Sequence, residues 1–170
     1  MKTIIQQRIS ALRESMKHFG LGAYIIPSSD PHLSEYPADC WKSRQWISGF
    51  TGSAGTVVVT ADKAGLWTDS RYFLQASKEL EGSGIELYKA GLPETPGIAA
   101  FLLRNLNENE TVGLDGQTYS VADAVELNSV LKKKKISLDV SRDLIHAIWK
   151  DRPALPGGML FELPIEYSGK

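Results

Sequence analysis

The sequence predicts an α/β fold, a mixed β-sheet flanked by helices. Short β-branched or apolar runs of strand length alternate with stretches whose apolar residues recur at helical spacing, the pattern of strands joined by crossover helices. One neighbouring pair of runs has only a turn between them, so at least one pairing is antiparallel. A chain of 170 residues, 42% hydrophobic, buries roughly 70% of its unfolded surface and needs no disulfide or structural metal to fold.

Thr3-Ile4-Ile5-Gln6 reads as a capping box opening the first helix. Ile5, Ile9, Leu12, Met16 and Phe19 follow at steps of four and three, one apolar stripe, and Gly20 ends it. Ala23-Tyr24-Ile25-Ile26 is a strand bounded by Gly22 and Pro27. Residues 28–40 form a long loop and 41–46 a short helix. Thr56-Val57-Val58-Val59-Thr60 is a β-branched strand. A turn over 61–65 leads into Leu66-Trp67-Thr68, which completes an antiparallel hairpin.

Residues 70–80 read as a helix with Phe73, Ala76 and Leu80 on one face, and Ile85-Glu86-Leu87-Tyr88 as a strand. Thr95-Pro96 places a cap before a first-turn proline, opening a helix with Ala99, Leu102 and Leu106 inward. Thr111-Val112-Gly113-Leu114 is a strand. Ser120 caps a helix with Ala124, Leu127 and Leu131 as its stripe. A strand over 136–140 and a helix over 143–149 complete the fold. Arg152-Pro153-Ala154-Leu155-Pro156-Gly157-Gly158 reads as a linker. The apolar residues from Leu160 to Tyr167 begin something ten residues cannot finish, so a cut just inside a second domain is expected. The expected boundaries are 1–152 for the domain and 153–170 for the linker and the start of the next.

Composition excludes several function classes. Nineteen basic against twenty acidic residues give a net charge of −1, unlike an electrostatic nucleic-acid binder. The N-terminus has no apolar core of signal-peptide length and no stretch approaches a membrane span. The expected setting is therefore cytoplasmic, with no nucleic-acid and no membrane partner. Cys40 is the one cysteine, and His18, His32 and His146 lie far apart, without zinc-ligand spacing.

Several segments invite a chemical reading. Residues 49–56 are Gly-rich, but a strand follows them where a phosphate cradle needs a helix N-terminus, so a tight turn is favoured. Lys132-Lys133-Lys134-Lys135 sits at a helix C-terminus, where cations offset exposed carbonyls. Asp30, His32 and Glu35 cluster in a loop without a partner ligand motif. Cys40 reads as a structural thiol. Thr68-Asp69-Ser70-Arg71-Tyr72 lies where a strand hands over to a helix, the usual place for ligand contacts in open α/β sheets. Asp69 or Ser70 can cap that helix. Arg71 in the first turn gains nothing from the dipole, which leaves a carboxylate partner or a ligand as its reason.

Five segments together resemble the N-terminal domain of Xaa-Pro aminopeptidases of the creatinase/prolidase superfamily, closest to the large three-domain cytosolic type. They are Ala23-Tyr24-Ile25-Ile26-Pro27-Ser28, Asp30-Pro31-His32-Leu33-Ser34-Glu35-Tyr36, Ile47-Ser48-Gly49-Phe50-Thr51-Gly52-Ser53-Ala54-Gly55-Thr56, the run from Leu66 to Ala76 with Thr-Asp-Ser-Arg-Tyr inside it, and Ile148-Trp149-Lys150-Asp151-Arg152-Pro153. Ser70 departs from the Gly more usual there. The resemblance implies a creatinase/prolidase N-terminal fold with a ribonuclease H-like motif. It implies a full-length metallopeptidase that removes an N-terminal residue preceding proline, using two divalent ions, usually manganese, in a catalytic domain absent from these residues. It implies no catalytic residue and no metal ligand in this chain, which should hydrolyse nothing alone. It also implies a role at the active-site mouth, substrate contact by Arg71, a peptide substrate with proline second, and a homodimer at full length. The other reading is a non-catalytic peptide-binding module, as in a histone-chaperone subunit with an aminopeptidase-like domain.

Overall fold

Side-chain alternation in the central strands sets the architecture. The computed structural model describes residues 2–167. Its sheet has strands β1 (Ala23–Pro27), β2 (Thr56–Thr60), β3 (Ala64–Thr68), β4 (Glu86–Lys89), β5 (Thr111–Leu114) and β6 (Ser137–Asp139), in the order β4-β3-β2-β1-β5-β6. Tyr24, Ile26, Val57, Val59 and Leu66 project to one face, under helices α1 (Lys2–His18), α2 (Ser43–Ser48), α3 (Phe73–Glu79) and α6 (Leu144–Ile148). Ala23, Ile25, Val58 and Trp67 project to the other, under α4 (Ile98–Asn105) and α5 (Val121–Leu131). Both faces are buried, which is why β1 and β2 read as continuous apolar runs. Each fully buried Leu or Ile in these two cores contributes roughly 1.5–3 kcal/mol.

β2 pairs antiparallel with both β1 and β3, while β1–β5, β3–β4 and β5–β6 are parallel. Five strands therefore run one way. Their C-terminal ends share one rim with the N-terminal end of β2, and that rim collects the loops of residues 28–42, 49–55, 69–72 and 115–118.

Several local expectations are corrected. α1 already runs through Thr3, so Thr3 is not its cap, and Gln6 Nε2 donates to the Gly82 carbonyl at 3.2 Å. Phe19 is 41% exposed because α1 ends at His18; the Arg142 guanidinium sits over its ring at 4.6 Å. The hairpin turn is tighter than expected: β3 starts at Ala64, and Thr60 N donates to the Lys63 carbonyl at 2.8 Å. α4 is capped by Gly97 rather than Thr95, and the Pro96 carbonyl accepts from Trp67 Nε1 at 2.8 Å. Residues 70–80 divide into a 3₁₀ turn, Ser70–Tyr72, and α3. Ser120 caps α5 as expected, accepting from Asp123 N at 3.0 Å.

Trp149 closes the fold by stacking on Trp46, with centroids 5.2 Å apart. Arg152 donates from Nε to the Cys40 carbonyl at 2.6 Å and from Nη1 to Asp143. Beyond it, residues 153–167 are exposed throughout, with one 3₁₀ turn at Ile165–Tyr167. The last three residues of the expected second segment lie outside the described residues.

Candidate functional site

The rim corner at the end of β3 is built by hydrogen bonds local in sequence. Thr68 Oγ1, buried, donates to the Ala54 carbonyl at 2.6 Å and ties the strand end to the loop 49–55. Asp69 is extended and caps the following 3₁₀ turn, accepting at Oδ1 from Arg71 N at 3.0 Å. The same carboxylate takes the Arg71 side chain in a fork, Nε to Oδ1 at 2.9 Å and Nη2 to Oδ2 at 2.8 Å. Of the two reasons left open for Arg71, a carboxylate partner is therefore present. It is not a buried one, for the two side chains are 67% and 41% exposed. The paired Asp69 holds the Arg71 guanidinium charged, raising its pKa further, and Arg71 in turn lowers the Asp69 carboxyl. Nη1 has no protein partner among the described residues.

The Gly-rich loop is held from below by a residue the sequence reading did not single out. Arg44 of α2, 5% exposed, donates from Nε to Ser28 Oγ at 2.7 Å, from Nη1 to the Phe50 carbonyl and from Nη2 to the Gly52 carbonyl. The loop thus turns carbonyls inward onto a cation, the reverse of a phosphate cradle. From above, Glu79 accepts from Thr51 N at 2.8 Å and Thr51 Oγ1 at 2.7 Å. Burial pushes the Glu79 carboxyl up, but these bonds and one from Gln75 together bring it below its ordinary value. Tyr72 shares a 2.7 Å hydrogen bond with Ser53 Oγ and packs edge-on against buried Phe50. Arg71, Tyr72 and the loop form one connected unit. A cavity of about 210 Å³ opens beside it, lined by Glu35, Tyr36, Trp41, Arg44, Gln45 and Gly52 among others.

The remaining candidate residues are occupied structurally. Asp30 Oδ1 accepts from His32 N and Ser34 N, each at 2.9 Å, which turns the loop; His32 and Glu35 point from it exposed. Among the described residues no group of three or more His, Cys, Asp or Glu is placed to hold a metal ion. Lys134 Nζ donates to the Leu103 and Leu106 carbonyls at 2.8 and 2.6 Å, closing the end of α4, and Lys135 pairs with Glu108. Cys40 is buried. No signal in the sequence singles out Arg44, which shares its short segment with Lys42 and takes main-chain carbonyls as two of its partners.

The fold and this rim define a class: a small three-layer α/β domain that presents loop side chains outward from the strand ends. The model of the Creatinase/Prolidase N-terminal domain matches residues 8–146, and the chain belongs to that family. It is 42% identical over 166 residues to a probable Xaa-Pro aminopeptidase P of Laccaria bicolor, covering 96% of this chain and 26% of the relative. It is 43% identical over 173 residues to aminopeptidase P2 of Arabidopsis thaliana, covering 99% and 24%. The crystal structure of an X-prolyl aminopeptidase from Caenorhabditis elegans, described as a cytosolic enzyme with a di-nuclear active site, superposes with a TM-score of 0.83 at 32% identity, over 89% of this chain and 26% of that one. The chain spans about a quarter of the length of these relatives. No helix among the described residues is long and apolar enough to cross a membrane.

Proposed function

We propose that this chain is the non-catalytic N-terminal domain of a cytosolic, metal-dependent Xaa-Pro aminopeptidase, which removes an N-terminal residue that precedes proline. The observation that carries the reading is similarity over nearly the whole chain to named aminopeptidases four times its length. Their names favour a peptidase over a non-catalytic peptide-binding module. The residues described here do not fit a metal centre, so the two divalent ions, manganese on the family's pattern, belong to residues of a second domain following the linker at 153. Bound there, such ions would supply Lewis-acid activation of a water. This domain binds and orients substrate at the mouth of that site, in an enzyme that works as a homodimer.

Arg71 is the substrate contact. Asp69 occupies the Nε/Nη2 edge of its guanidinium and cancels its charge, leaving Nη1 outward. An incoming carboxylate would meet Asp69, whereas a neutral peptide carbonyl can accept from Nη1 without that repulsion. The test is turnover of an Xaa-Pro peptide by the polypeptide extended to the length of its relatives, beside the 170-residue chain. The extended form should hydrolyse with manganese and stop with chelator, and the 170-residue chain should be inert. Chelator-sensitive turnover by the short chain would overturn the assignment.

A further inference from the structure

The cavity at the rim is lined by a buried cation that makes no ion pair with a carboxylate among the described residues. Arg44 is 5% exposed, and its three partners, Ser28 Oγ and the carbonyls of Phe50 and Gly52, are all neutral. A guanidinium has five N–H donors, so two are left over. Among the described residues the ion pairs are made by Asp39, Asp69, Glu108, Asp139 and Asp143, none of them with Arg44. Glu79, the carboxylate whose field reaches it, is held by hydrogen bonds from Thr51 and Gln75 and makes no ion pair with it. Burial pushes the guanidinium down to about 10, with Glu79 and Tyr72 restoring only part. It is still charged at neutral pH. A buried cation with no carboxylate in ion-pair contact is a costly feature, and an anion bound beside it lowers that cost.

The walls state what else the anion must carry. Trp41, Tyr36 and Pro37 line the cavity and give it a flat apolar side, and the Gln45 amide completes the polar side. Lys42, also lining, is taken by Asp39 at 2.5 Å. Glu35 lines the exposed mouth without an ion pair to Arg44. The volume of about 210 Å³ exceeds the ~150 Å³ in which an apolar cavity takes up benzene, so a ring with one carboxylate fits. We propose that this cavity binds a carboxylate borne on a small planar apolar group, with Arg44 as the counter-charge and Trp41 and Tyr36 flanking the ring. A free aromatic acid and the C-terminal end of a peptide closing on an aromatic residue share this chemistry.

The experiment is a titration of the 15N-labelled 170-residue chain, read at Arg Nε–H, Trp indole and backbone amide signals. Phenylacetate and its neutral isostere phenylacetamide are compared up to about 20 mM, a range that reads a millimolar site. Phenylacetate should shift the Arg44, Trp41 and Gly52 signals saturably, and the amide should bind at least ~10-fold more weakly. N-acetyl-alanyl-phenylalanine is run beside them: binding tighter than phenylacetate assigns the site to a peptide end, and weaker binding assigns it to a free acid. Removing Arg44 would loosen the loop, so Gln45→Glu is the informative variant. It leaves Arg44 and its three contacts in place, sets a competing carboxylate in the cavity, and should weaken phenylacetate by more than ~10-fold with the loop signals retained. Equal binding of acid and amide, absence of a saturable shift, or unchanged affinity in Gln45→Glu would overturn the proposal.

Discussion

Gly52→Ala is predicted to be among the most disruptive single-methyl additions in the domain. A Cβ at residue 52 would lie 2.3 Å from Phe50 Cζ, 2.9 Å from Phe50 Cε2 and 2.8 Å from Tyr72 Cδ1, where carbon atoms settle at about 3.5–4.0 Å. The demand is for space, since Gly52 is not among the left-handed glycines. Neither ring can withdraw: Phe50 is fully buried, and Tyr72 is packed edge-on against it and hydrogen-bonded to Ser53. The loop must lift instead, which takes the Gly52 carbonyl off the buried Arg44. Overpacking costs about 1–3 kcal/mol and the lost bond to a charged donor about 1.5–3 more, so about 2.5–6 kcal/mol in all. At ~2–4 °C per kcal/mol for a domain of this size, Tm falls by roughly 5–24 °C. Thermal unfolding of the 170-residue chain by circular dichroism measures it. A Tm within about 2 °C of the parent would refute the reasoning, because the loop would then accommodate the methyl without moving.

Tyr24→Phe should cost about 1–3 kcal/mol in urea unfolding, since the buried hydroxyl donates to the Arg142 carbonyl at 2.6 Å and accepts from Leu144 N at 3.1 Å; a loss near zero would mean water replaces it. Asp115 is held above the usual carboxylate range by burial, with Asp143 adding to the rise and the Gln117 N–H and Arg152 opposing it. A raised folded-state value means the native state binds the proton more tightly, so its contribution falls as pH rises through that value. Asp115→Asn should therefore gain on the parent between about pH 4 and pH 7, and parallel stability curves would count against the burial argument. Ending the chain after Pro153 should leave Tm unchanged within about 1 °C, because residues 154–167 are exposed; a larger fall would place the domain boundary further along.

The strands and core were legible where one periodicity acted alone. Both faces of the sheet are covered, so Ala23-Tyr24-Ile25-Ile26 and the valines of β2 announce themselves, and the Ile5 to Met16 stripe reports a helix laid on one face. Misreadings fall at element ends, where a tertiary partner decides. Pro96 offers its carbonyl to Trp67, and α4 starts two residues late, while Phe19 leaves the stripe as the chain turns at Gly20. The Asp69–Arg71 corner was visible as a cap plus an unexplained cation, because both partners lie two residues apart. Arg44 was not, since two of its three partners are main-chain carbonyls of a loop, and carbonyls leave no mark in composition.

The most direct test of the account is kcat/KM for an Xaa-Pro peptide measured on the extended polypeptide with Arg71→Ala, beside urea unfolding of the same substitution in the 170-residue chain. Arg71 is exposed and its one carboxylate partner is local, so the domain should unfold at an unchanged urea midpoint while kcat/KM falls by about 10- to 100-fold. Unchanged kcat/KM together with a clear loss of stability would make Arg71 a structural residue and contradict the claim that this rim meets substrate.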